Sequence, residues 1–362
     1  MAGRRPLPAS VLARGAALLA FCAAAPLAAQ ARPQAQPRFG VNLSGAEARG
    51  GDAVRPSLAD LKNNIDRYGF DLIRYPFKRD RMTPERTREL RTLTDYARSK
   101  GVPFILDNHS FAWPPVEEQI AWWTAFARRF PDDGSILLDL NNEPRGFDDP
   151  VLTNDWMQWA RDSKRIIAGL RANGIRHPIL LEWPGWSATF RFDKEEPARK
   201  ACESAACALD RTPGELDPLG RTYMNGHRYF DRGSSGTSAS CKGRGGRVRD
   251  ESGFGRFARQ LRERGLKGYV TEVAFGSYRG VPDSCQAVGA DAIADMHANA
   301  DVLLGVTWWG GGRIWPENYP FKIDCLKAER FTCPLSPYLK MISPARPLSP
   351  RTRRPAGSAS ED

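Results

Sequence analysis

The amino-acid sequence predicts an α/β fold, a (β/α)8 TIM barrel forming a single domain with long loops after the strands. Three observations predict it. Short apolar runs bounded by Gly or Pro alternate with amphipathic helical patterns, about eight strand-like runs in all, as a parallel barrel requires. Residues 32–342 are long enough for one large core, since such a barrel takes ~250 residues plus insertions. Polar side chains, two glutamates among them, stand where apolar runs end, and strand ends are where a parallel barrel keeps its chemistry.

In chain order, the run Phe39–Leu43 is followed by a helical pattern over Ser57–Tyr68, and Leu72–Tyr75 by one over Thr83–Ser99. Pro103–Leu106 precedes Val116–Arg129, and Ile136–Leu140 precedes Asn154–Asn173. After Pro178–Glu182 the alternation breaks. The interval Phe190–Thr222 is rich in charge, carries two cysteines and reads as a long loop with at most a short helix. The alternation resumes with Tyr223–His227 before Gly253–Arg264 and Gly268–Thr271 before Ala287–Ala300, and Leu304–Trp308 supplies the eighth strand.

Both ends of the chain lie outside this scheme. Residues 1–31 read as a secretion signal: Arg4, Arg5 and Arg14 give a basic start, Ala16–Ala25 an apolar stretch and Ala29-Gln30-Ala31 a small-residue cleavage site. The apolar stretch falls short of the ~20 residues needed to span a bilayer, so no stable membrane anchor is expected. Phe21 before Cys22 is too bulky for a lipid-attachment signal. The expected product is a secreted protein, extracellular or periplasmic, and monomeric. The Pro- and Arg-rich tail, residues 343–362, reads as disordered.

The net charge of +11 overstates the basicity of the central domain. Residues 1–31 hold three arginines and no acid, the tail four arginines against two acids, and +6 remains for residues 32–342, spread rather than clustered. Nucleic-acid binding calls for a concentrated basic stripe or a recognisable module, and neither is visible.

Six cysteines remain in the mature chain: Cys202, Cys207, Cys241, Cys285, Cys325 and Cys333. An even set in an exported protein reads as disulfides, although the pairing stays open at this level. The spacing hints at Cys202 with Cys207 and Cys325 with Cys333 as small local loops, leaving Cys241 with Cys285 as a longer tie across the strand before Glu272. No cysteine pair has C-x-x-C spacing and His109, His177, His227 and His297 are scattered, so neither metal nor cofactor is expected.

Glu143 closes Leu137-Leu138-Asp139-Leu140-Asn141-Asn142-Glu143-Pro144, and Glu272 closes Gly268-Tyr269-Val270-Thr271-Glu272. A glycosidic bond needs two carboxyls, one to protonate the leaving oxygen and one to attack or to activate water. Around them, Arg74, His109, Asn142, His227, Tyr229 and Trp308-Trp309 also follow strand-like runs and are expected at the same mouth.

With these residues in place the chain resembles glycoside hydrolase family 5, and within it the cellulases. The matching segments are Gly40-Val41-Asn42-Leu43-Ser44-Gly45-Ala46-Glu47, Arg74-Tyr75-Pro76-Phe77, Asn142-Glu143-Pro144, His227-Arg228-Tyr229-Phe230-Asp231 with Gly236-Thr237, Glu272, and Trp308-Trp309 through Trp315. The resemblance implies a retaining endo-β-1,4-glucanase with Glu143 as acid/base and Glu272 as nucleophile. It further implies that Asn142 bonds the sugar 2-hydroxyl, Tyr229 and Arg74 hold the nucleophile, and His109 and His227 orient substrate and carboxyls. Trp309 is expected as the sugar platform, with Trp308 turned away and with Trp186 and Trp315 extending the cleft. The chain departs from the family pattern at Thr271 and in Asn108-His109-Ser110-Phe111. A β-mannanase or mixed-linkage glucanase is the alternative, and a non-catalytic carbohydrate-binding barrel the rival from another class.

Overall fold

Eight parallel strands close on themselves in chain order in the computed structural model: β1 (Arg38–Leu43), β2 (Ile73–Phe77), β3 (Phe104–Asn108), β4 (Ile136–Asp139), β5 (Ile179–Leu181), β6 (Thr222–Tyr229), β7 (Gly268–Ala274) and β8 (Leu303–Gly311). The structure describes residues 3, 36–48, 53–144, 156–193, 201–231, 233–241, 254–276, 283–316 and 318–324. The secretion signal, the tail and the Cys325–Cys333 pairing therefore lie outside the described residues, apart from the single residue 3. Between the strands run α1 (Leu58–Lys62), α2 (Pro84–Ser99), α3 (Val116–Ala127), α4 (Trp156–Ala172), α5 (Ala205–Arg211), α6 (Phe254–Glu263) and α7 (Asp283–Ala298). None of these helices is long and apolar enough to cross a membrane.

Two helix starts show how local sequence sets the boundaries. Ser57 caps α1 by accepting the Asp60 N–H while Asp60 returns a bond to the Ser57 backbone, and Thr83 caps α2 with Pro84 at the first helical position. The pattern predicted as one helix over 57–68 is in fact α1 followed by a wider π-type turn at Asn63–Arg67. The break between β5 and β6 is real: it holds a 3-10 turn at Thr189–Arg191 and the short α5.

The strands have a double character that positions the site. Their outward residues pack against the helices in one large apolar cluster. Inside the barrel, Leu72, Ile105, Leu137, Leu180 and Tyr269, flanked by Tyr223 and Leu304, make an apolar floor. Side chains alternate along a strand, so the inward residue two places further on sits one layer higher. From that floor the next layer comprises Arg74, Asp107, Asp139, Glu182, Asn225 and Thr271, all buried and all polar. Burial of an aliphatic floor side chain is worth ~1.5–3 kcal/mol, which offsets part of the desolvation cost of the charged layer above it.

Two disulfides form, Cys202–Cys207 and Cys241–Cys285. The first closes a loop just before and within α5; the second ties the segment after β6 to the start of α7.

Candidate active site

The mouth at the C-terminal strand ends opens into a cleft of about 480 Å³ lined by Glu143, Glu272, His109, His227, Tyr229 and Trp309, with Phe111, Trp186, Phe190 and Arg191 among its further walls. Glu272 reaches this mouth through an irregularity. Gly226 pairs with Val270 but His227 with Glu272, so β7 carries one extra residue, Thr271, opposite β6. Such a bulge re-aims side chains. Thr271 stays in the buried layer, its hydroxyl 2.7 Å from Asn225 Oδ1, while Glu272 turns to the cleft.

Arg74 underlies Glu272. Its guanidinium is fully buried and all five N–H groups have partners. Nη1 donates to Glu272 Oε1 (2.8 Å) and Asn42 Oδ1 (3.1 Å), Nη2 to Asn142 Oδ1 (2.7 Å) and Glu182 Oε1 (3.1 Å), and Nε to Asp139 Oδ2 (3.0 Å). Asp107 Oδ2 is also 3.1 Å from Nη2. The Tyr229 hydroxyl donates to the second Glu272 oxygen at 2.6 Å.

Burial alone would raise the Glu272 carboxyl. His227, Arg74 and His109 outweigh it together with the Tyr229 hydrogen bond, and hold Glu272 below the usual carboxylate range. Glu143 goes the other way. Burial pushes its pKa up, and the Glu272 charge adds to this against the opposing hydrogen bond from His227. Burial thus contributes more to this rise than like-charge repulsion from Glu272 does. Oxygens of the two carboxyls and a ring nitrogen of His227 lie within 4.8 Å of one another.

His227 Nδ1 stands 2.8 Å from Glu143 Oε1 and Nε2 is 3.2 Å from Glu182 Oε1. Burial disfavours its charge, but Glu182 and Glu272 prevail and raise its pKa well above the ordinary imidazole value. With both nitrogens facing carboxylates, the ring has no lone pair to offer a metal, although the Glu143, His227 and Glu272 cluster has metal-like proximity.

His109 bonds Asp107 through Nδ1 (2.8 Å) and stacks on Trp309 at 5.5 Å between ring centres. Asn142 leaves its Nδ2 without a partner although fully buried, while its Oδ1 is taken by Arg74. Trp308 is buried, donates to Phe321 O (2.7 Å) and packs against Phe275, away from the cleft. Trp186 lines the cleft and is 47 % exposed. Trp315 is not among the lining residues: it packs on the edge of Trp309 and stacks with Tyr319 at 4.1 Å, so it buttresses the platform instead of extending the floor.

Five non-glycine residues among those described have positive φ: Phe111, Glu143, Trp186, Ser187 and Ser234. Four of them line the cleft, and Ser187 bonds Glu182 directly beneath it. Strained backbone is thus concentrated at the mouth.

Sequence reasoning missed the layer beneath the cleft: Asp107, Asp139, Glu182 and Asn225, with Asn42 and Ser187 beside them. The signal was present as a polar residue two places beyond an inward apolar one in four buried runs: Ile105/Asp107, Leu137/Asp139, Leu180/Glu182 and Tyr223/Asn225.

Comparison with known proteins bears directly on this arrangement. Residues 34–312 match the family described as cellulase, glycosyl hydrolase family 5. Among curated proteins the chain is similar to endo-beta-1,4-glucanase B of Emericella nidulans, 26% identical over 337 residues that cover 85% of this chain and 94% of the relative. Among solved structures its fold is like that of XacCel5A in complex with cellopentaose, with a TM-score of 0.70 at 24% identity, covering 85% of this chain and 99% of that one. It is also like that of Cel5A (EG2) from Hypocrea jecorina, with a TM-score of 0.66 at 17% identity, covering 82% and 94%. The family match spans well over half of the chain, and the protein therefore belongs to glycosyl hydrolase family 5, the cellulase family, and is a glycoside hydrolase.

Proposed function

We propose that this chain is an exported, monomeric, retaining endo-β-1,4-glucanase that cleaves internal bonds of cellulose or a related β-glucan, with Glu143 as acid/base and Glu272 as nucleophile. One observation carries the reading: two carboxyls with oxygens within 4.8 Å, one pushed up and the other held down in pKa. A separation near ~5 Å suits direct attack, whereas an inverting pair stands ~6.5–9.5 Å apart to admit water.

In the first step the Glu272 carboxylate attacks the anomeric carbon while Glu143 donates its proton to the glycosidic oxygen. The carbon–oxygen bond breaks, the leaving chain departs with that proton, and a covalent glycosyl ester forms on Glu272. In the second step ionised Glu143 takes a proton from water, whose oxygen attacks the anomeric carbon and displaces Glu272. Two inversions restore the β configuration. The unpartnered Asn142 amide supports a contact to the sugar 2-hydroxyl, and the stacked His109 and Trp309 rings support an apolar platform for a pyranose face. The relatives named endo-beta-1,4-glucanase favour glucan over mannan.

Product analysis of the purified mature chain on carboxymethylcellulose, barley β-glucan and glucomannan tests the reading, with Glu143→Gln alongside. Rapid viscosity loss and short cello-oligosaccharides, absent in the variant, are expected. Preference for mannan would change the substrate and keep the mechanism, and silence on all three would return the chain to a binding role. Glu272→Ala should abolish turnover, with azide restoring part of it as the inverted glycosyl azide; an active Glu272→Ala enzyme would remove the nucleophile assignment.

A further inference from the structure

The double displacement leaves the buried carboxylates beneath the reacting pair, Asp107, Asp139 and Glu182, without a role, and of these Glu182 contacts both Glu143 and His227. Glu182, directly after β5, is 2 % exposed and does not line the cleft. Five donors nevertheless converge on it. Oε1 accepts from Arg74 Nη2 (3.1 Å) and Asn225 Nδ2 (3.0 Å) and faces His227 Nε2 (3.2 Å). Oε2 accepts from the backbone N–H of Glu143 (2.6 Å) and from the Ser187 hydroxyl (2.8 Å).

Two of these contacts distinguish Glu182 from a simple counter-ion of Arg74, which already has Glu272, Asp139 and Asp107. The first is to the His227 ring. Its Nδ1 faces Glu143, so the carboxylate at Nε2 decides whether the second nitrogen also keeps a proton. The second is to the peptide of Glu143, whose φ of +40° is a conformation that residues with a side chain seldom hold without support.

We propose that Glu182 is a positioning residue of this enzyme, fixing the His227 ring so that its Nδ1–H points at Glu143 and clamping the Glu143 peptide in its left-handed turn. The proposal rests on the glucanase reading above and deepens it with a residue that touches no sugar. A doubly protonated His227 cannot act as a competing base, so the Glu143 proton goes to the glycosidic oxygen and returns from water. The position of the groups agrees. Glu182 is held down to about 2 against its burial, chiefly by His227 and then by Arg74, and His227 is raised in return. The other ionisable groups around the pair are Arg74 from β2, Asp107 from β3 and His109 just after it, Asp139 from β4, Glu143 beyond β4, Tyr229 from β6 and Glu272 from β7. Among the described residues, Nε2 otherwise meets only the Thr271 hydroxyl, at 3.4 Å, which cannot replace a charge.

Histidine labelled with nitrogen-15 reads the ring directly, since the chain has only four histidines, and His227→Gln assigns the signal. In the wild type both His227 nitrogens should carry protons between about pH 6 and 8. Glu182→Gln keeps the size of the side chain but turns an N–H₂ toward donors, so His227 should lose one proton in that range. Turnover should then fall on the order of 10²-fold with a smaller change in KM, as expected for misplaced groups that do not bind substrate. With the His227 charge gone, Glu143 should hold its proton more firmly, so the alkaline limb of kcat/KM should move to higher pH. Glu182→Asp, which keeps the charge, should restore the doubly protonated ring and part of kcat. A wild-type His227 with a single N–H overturns the proposal whether or not the variants fold, and so does a Glu182→Gln enzyme with unchanged kcat. Absence of wild-type activity on every β-glucan would instead bring down the glucanase reading, which the imidazole spectrum does not depend on.

Discussion

Glu143 and Glu272 are the same side chain held in different surroundings, and the difference underlies the roles proposed for them. Glu272 lies among donors and cations: Arg74 at 2.8 Å, the Tyr229 hydroxyl at 2.6 Å and a charged His227 at 3.7 Å. Among the described residues the Glu143 carboxyl has one hydrogen-bond partner, the His227 ring at 2.8 Å, with burial and the neighbouring negative charge working against its ionisation. In the proposed mechanism the active form has Glu272 ionised and Glu143 protonated, so activity should fall at low pH as Glu272 gains a proton and at high pH as Glu143 loses one. Tyr229→Phe removes one donor that favours the Glu272 carboxylate. A hydrogen bond to a charged group is worth ~1.5–3 kcal/mol, so the Glu272 pKa should rise and the acid limb of kcat/KM should move upward by about one to two pH units. A pH–rate profile of that variant checks this, and an unmoved acid limb would show that the hydroxyl does not hold the nucleophile.

At the scale of elements, the runs of β2 to β7 each deliver an apolar residue to the floor and, two places on, a polar one to the layer above, and the segments beyond them shape the cleft. The bulge in β7 is the exception that brings Glu272 level with His227. The segment after β6 is organised by Asp231, whose carboxylate accepts the backbone N–H groups of Gly236, Thr237 and Ser238. This arrangement presents Gly233, Ser234 and Ser235 to the cleft, and Cys241–Cys285 anchors its far end to α7. The two disulfides should therefore differ in worth. In the chain-entropy account the separation of 44 residues corresponds to about 4 kcal/mol and the separation of 5 to about 2 kcal/mol. Replacing both Cys241 and Cys285 by Ser should lower the urea midpoint about twice as much as the same change at Cys202 and Cys207, and it alone should raise KM. Equal losses, with KM unchanged in both, would detach this loop from substrate binding.

Over the whole molecule, a barrel with an apolar floor supports a charged layer that could not survive alone in a nonpolar interior. Arg74 is central to it because its planar fork satisfies several acids at once, with Asp139 driven toward its neutral form mainly by burial. The reading of residues 1–31 as an export signal belongs to this scale as well. Mass spectrometry of the protein secreted by an expressing cell should find a mature N-terminus near Arg32, and a chain retained inside the cell with Met1 in place would oppose it. The bond at Cys241–Cys285 is in keeping with an oxidising compartment.

Much of this was legible from the order of residues. All eight strands were visible as apolar runs, because a strand buried on both faces leaves a short continuous signature between breakers. Glu143, Glu272 and the polar residues around them stood out because they terminate those runs. The boundaries were less visible: β6, β7 and β8 continue to Tyr229, Ala274 and Gly311, where polar and glycine residues obscure the pattern but barrel pairing still satisfies the backbone. Trp186 and Trp315 were indistinguishable by type, yet one lines the cleft and the other buttresses it. Sequence alone thus determined the barrel, the family resemblance and the two carboxyls, since periodicity and run ends are local properties. Only the tertiary structure decided that Glu182, Asp139 and Asp107 share one guanidinium and that burial outweighs the neighbouring charge in raising Glu143, because those relations join strands distant in sequence and depend on the closure of the barrel.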